Sequence, residues 1–82
     1  MKLLTGVENM VPAGKHNLKV VIGTGTAVLQ YEVDGEGFLD VPDTSVSAST
    51  GLSVDLPNCT VKTTLTGDAQ VWLNLVARVD RA

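Results

Sequence analysis

The chain has 82 residues, a net charge of −3, one cysteine and one histidine, which makes a single domain over residues 1–82. One cysteine excludes an internal disulfide, and one histidine with one cysteine makes a poor zinc set. The six basic residues, scattered from Lys2 to Arg81, exclude the clustered cations that nucleic-acid binding needs.

The opening Met1-Lys2-Leu3-Leu4 starts like a signal peptide, but Gly6, Glu8 and Asn9 interrupt it before an apolar stretch develops. Export by that route is not expected. No run approaches the roughly 18 apolar residues of a membrane helix, so a soluble chain with no membrane partner is expected. Leu18, Val20 and Ile22 then alternate with Asn17, Lys19 and Val21, the two-residue period of a strand. Ala27, Leu29, Tyr31 and Val33 alternate with Val28, Gln30 and Glu32 in the same way. Gly23-Thr24-Gly25 between them predicts a tight hairpin, its glycines free to take positive φ.

Asp34-Gly35-Glu36-Gly37 is the clearest turn signal and ends the second strand at Val33. Phe38 to Val41 starts the next strand and Pro42 stops it. Residues 43–50 are polar and rich in Ser and Thr, with Val46 and Ala48 facing inward, and read as a weak edge strand or a loop. Leu52, Val54 and Leu56 alternate until Pro57-Asn58; Cys59, Val61, Thr63 and Leu65 resume, and Thr66-Gly67-Asp68 supplies another hairpin turn.

The last segment alternates longest. Val71, Leu73, Leu75, Ala77 and Val79 lie on one side, with Gln70, Trp72, Asn74, Val76, Arg78 and Asp80 on the other. A helix competes, because Val71, Leu75 and Val79 are also four apart. Five positions fit the strand template, whereas a helical stripe leaves out Leu73 and Ala77. This segment is expected to be the central strand. About seven short strands with turn signals between them predict an all-β domain, a small antiparallel sandwich or barrel. Thirteen valines, nine threonines and one isoleucine support it, since β-branched side chains pack well on a pleated surface.

The sequence offers little chemistry. Cys59 lacks a base, since His16 falls on an expected turn far away, so Cys59 reads as a small buried hydrophobe. Glu32, Asp34, Glu36, Asp40 and Asp43 match no standard calcium loop and read as solvated carboxylates. Gly23-Thr24-Gly25-Thr26 lacks the third glycine and the helix of a phosphate-binding loop, and Asn58-Cys59-Thr60 is an isolated glycosylation triplet. No catalytic residue, metal ligand or cofactor site is assigned, and an enzyme is not expected.

Trp72 and Val76 fall on the mainly polar face of the last strand, together with Asn74. A tryptophan there signals coverage by another sheet or subunit, or, paired with Tyr31, a platform for a sugar ring. A thin core of Val, Leu and Ala, with Trp72, Tyr31 and Phe38 as its only aromatics and no disulfide or metal, favours association between chains. The interface residues expected are Trp72, Val76, Asn74 and Tyr31.

Val33-Asp34-Gly35-Glu36-Gly37-Phe38-Leu39-Asp40-Val41-Pro42-Asp43, Leu56-Pro57-Asn58-Cys59 and Leu65-Thr66-Gly67-Asp68-Ala69-Gln70-Val71 together cover about half the chain. Their cadence resembles the short β-rich virion proteins of tailed bacteriophages, including capsid decoration proteins and head or tail attachment proteins. The resemblance implies a homo-oligomer, often a trimer, made in the host cytoplasm and bound in the virion to partners such as the major capsid protein. The absence of disulfides agrees with assembly in a reducing compartment. A carbohydrate-binding or adhesion module using Trp72 and Tyr31 is the alternative.

Overall fold

The computed structural model describes residues 1–32, 35 and 37–78. Val33, Asp34 and Glu36, expected in the turn, and Val79 and Asp80, expected inward and outward on the last strand, lie outside the described residues. The chain is all-β and forms two four-stranded antiparallel sheets packed as a sandwich.

The described strands are β1 (Lys2–Leu3), β2 (Asn9–Val11), β3 (Gly14–Val21), β4 (Thr26–Glu32), β5 (Leu39–Asp40), β6 (Thr50–Leu56), β7 (Cys59–Thr66) and β8 (Gln70–Arg78). One sheet has the order β1-β8-β3-β6 and the other β2-β7-β4-β5. The alternation expected in residues 17–21, 27–32, 52–56, 59–65 and 70–78 is realised as strands, with Ile22 just past the end of β3. Two short N-terminal strands are added, and residues 43–49 form a loop tied to β4 by a single bridge from Val46 to Ala27. Ala48 in that loop is exposed, contrary to its expected inward position.

The connections differ from the sequence expectation. Gly23-Thr24-Gly25 and Thr66-Gly67-Asp68 each resemble a hairpin turn, yet β3 and β4 lie in different sheets, as do β7 and β8. Both segments are links between layers, and they meet. A Cβ on Gly25 would strike the Thr66 carbonyl and one on Gly23 the Asp68 carboxylate, so these glycines serve close approach; neither is among the positive-φ glycines. Asp68 Oδ1 accepts from the amides of Gly23, Thr24 and Gly25 at 3.0, 2.9 and 3.2 Å. Those bonds, the Thr24 amide foremost, hold its carboxyl below the ordinary aspartate value.

Alternation puts the core between the sheets. In β3 the burial pattern is strictly two-residue, with Gly14, His16, Leu18 and Val20 inward and Lys15, Asn17, Lys19 and Val21 outward. Leu3, Leu18, Leu29, Val61, Val71 and Leu73 are its most enclosed apolar side chains. The accessible surface, 4987 Å², is close to the roughly 4,700 Å² of a folded monomer of this mass. One copy therefore closes its core about as well as ordinary monomers do, and what distinguishes the surface is where its exposed apolar residues lie.

The connecting loops are pinned by hydroxyls. Thr44 is buried; its Oγ1 donates to the Val41 carbonyl at 2.7 Å and accepts from the Leu29 amide at 3.2 Å. Ser49 Oγ accepts from the Ile22 amide at 2.9 Å. Pro42 and Asp43 occupy the corner of the turn closed by the Thr44 amide on the Val41 carbonyl, with Asp43 at φ 64°, a conformation aspartate tolerates better than most residues.

Candidate functional site

The residues singled out on the last strand sit on a defined surface. β8 is an interior strand between β1 and β3. Residues directly opposite across antiparallel strands share a face. Lys2, Trp72, Lys19 and Gly51 therefore form one row across the outer face of this sheet, and Asn74, Asn17 and Ser53 the next. Ala77, Lys15 and Asp55 form a third. Trp72 is half-buried, and the ammonium groups of Lys2 and Lys19 lie 5.6 and 5.3 Å from its ring centroid. A tryptophan face attracts cations through its quadrupole, so the flanking lysines hold the indole in place while keeping their charge at the surface.

A β-bulge alters the far end of β8. Pairing runs His16 with Leu75 and Lys15 with Ala77, leaving Val76 as the extra residue. The phase of alternation shifts there, so Ala77 joins the outward row of Lys15 rather than the inward set expected from sequence. Leu75 is 39% exposed and Val76 54% exposed. The bulge thereby presents Val76 at the surface, near the exposed Asn74, whose Oδ1 accepts from the Met1 amino group, while Leu75, opposite the buried His16, stays on the inward side of the strand.

Tyr31 is elsewhere. It lies in β4 of the other sheet, opposite the fully buried Val61, and packs partly into the core. Trp72 faces outward from the first sheet, so the two rings point into different spaces and form no common platform. No protein-family model matches the chain, and neither does any curated protein or solved structure.

The remaining candidates resolve into structural roles. His16 lies inside β3, buried rather than on a turn, with Nε2 at 3.0 Å from the Pro12 carbonyl. The signal was present in the sequence, because His16 shares its parity with Leu18, Val20 and Ile22. Cys59 is buried at the start of β7, and burial pushes its thiol up from the ordinary value, away from the reactive thiolate. Asn58 Oδ1 accepts from the Ala13 amide at 2.8 Å. An open groove of about 590 Å³ passes Met10, Pro12, Glu32, Asn58 and Thr60. In its lining, Glu32 Oε2 accepts from the Gly37 amide and Asn58 Oδ1 from the Ala13 amide. Among the described residues no group of three His, Cys, Asp or Glu side chains is placed to hold a metal ion.

Proposed function

We propose that this chain is a non-enzymatic structural protein of a larger assembly, a virion component of the bacteriophage decoration type that works through surface contact. In this reading it is a homo-oligomer, with a trimer as the working number, made in the host cytoplasm and docked in the virion on partners such as the major capsid protein. The observation that carries the reading is β8, an interior strand with Trp72 half-buried on its outer face and Val76 exposed at its bulge. A tryptophan at the middle of a sheet, ringed by polar residues, is the composition of an interface core and rim. The cadence of residues 33–43 and 65–71, which resembles virion proteins, gives the reading its biological setting. The sugar-binding alternative draws less support, because Tyr31 is turned away from Trp72.

Imaging of particles purified from the source organism tests the proposal. Regularly spaced copies of this chain on a head or tail are expected. Recovery of the chain only as free protein, with none on any particle, would overturn it.

A further inference from the structure

We infer that the lysine-flanked Trp72 face packs head-to-tail against the outer face of the other sheet of a second copy of this chain, where Glu32 and Asp40 lie. This rests on the self-association proposed above and specifies its chemistry.

Charge is segregated between the two faces of the sandwich. Lys2, Lys15 and Lys19 occupy the outer rows of the β1-β8-β3-β6 sheet, against the single carboxylate of Asp55. Among the described residues that face carries +2, whereas the outer rows of the second sheet carry Glu32 and Asp40 against one cation, Lys62. Asp40 is opposite Gln30 and Lys62 in one cross-strand row, and Glu32 is opposite Thr60, so both carboxylates are on the outer side of their sheet.

The two outer faces of a sandwich point in opposite directions, so the lysine rows cannot reach these carboxylates within one copy. They can reach those of a neighbour. A symmetric contact of the Trp72 face with itself would set Lys2 and Lys19 against the same lysines, and like charges at an interface are repulsive. Charge therefore selects a heterologous contact over an isologous one, the type that builds rings when its rotation closes. Trp72, with Val76 exposed at the bulge, supplies the apolar centre, and the lysine-to-carboxylate pairs fix its direction.

Two double variants test this, Lys2→Glu with Lys19→Glu and Glu32→Lys with Asp40→Lys. All four side chains are exposed or half-buried, and circular dichroism checks that each variant is folded. Sedimentation velocity is measured at low salt and at roughly 0.5 M NaCl. The unmodified chain should associate, less so at high salt, and each double variant alone should associate about tenfold more weakly or worse. An equimolar mixture of the two variants should regain association, because each then meets a surface of opposite sign. Variants that associate like the parent, or a mixture that stays monomeric while the parent assembles, would overturn the inference. A parent that is monomeric at every concentration yet binds particles stripped of it would also overturn the inference, while leaving the structural role intact.

Discussion

Thr44 and Thr63 are equally buried, each about 1% exposed, and the same substitution to valine should move stability in opposite directions. Thr44 Oγ1 is the acceptor for the Leu29 amide and a donor to the Val41 carbonyl, joining the loop after β5 to the middle of β4. Valine keeps the shape but leaves the amide without its partner inside the core. An orphaned buried polar group costs about 1–3 kcal/mol. At roughly 4–8 °C per kcal/mol for a domain of this size, Thr44→Val should lower the melting temperature by about 4–24 °C. Thr63 Oγ1, by contrast, is buried with no hydrogen-bond partner among the described residues. Its hydroxyl is desolvated without compensation, so Thr63→Val should raise stability by about 1 kcal/mol or more. Thermal unfolding followed by circular dichroism, with urea titration as a second measure, reads both. A loss of similar size in the two variants would refute this reasoning, since it would mean that burial alone, and not hydrogen-bond pairing, sets the cost.

Two further outcomes follow from named groups. Folding lowers the Asp68 pKa, so its bonds to the 23–25 amides contribute fully above the ordinary value of 3.8 and are lost as pH falls through the lower native value. Asp68→Asn should therefore melt earlier than the parent at neutral pH, with the gap closing as pH falls below 3.8; a gap that is constant with pH would contradict the assignment. Cys59 should react with a disulfide reagent at pH 8 at least about tenfold more slowly in the native chain than in denaturant, as expected of a buried thiol with a raised pKa. Equal rates would show that β7 opens at that end.

The strands were legible because each long one alternates cleanly, as Leu18, Val20 and Ile22 show, and because the burial period of a strand is two. Their pairing was not. Gly23-Thr24-Gly25 and Thr66-Gly67-Asp68 carry residues that suit a hairpin, but the same small residues suit two links that pass within van der Waals distance of each other. Only contacts distant in sequence, such as β3 with β8, decide between these. The bulge at Val76 was hidden for a similar reason: an extra residue is defined by its partner strand, and Ala77 looks inward when β8 is read alone. Trp72 was found through its parity within the strand. Its flanking lysines were not, because Lys2 and Lys19 are far from it in sequence and adjacent only across the sheet.

Coverage of the Trp72 face by another copy is what separates an assembly subunit from a free monomer. Light scattering coupled to size exclusion, over a concentration series of the parent and of Trp72→Ala, measures this directly. The parent mass is expected to be a multiple of the chain mass and the Trp72→Ala mass to fall towards one chain, with the circular dichroism spectrum kept. A parent that holds one chain mass at every concentration, or a Trp72→Ala oligomer identical to the parent's, would contradict that coverage.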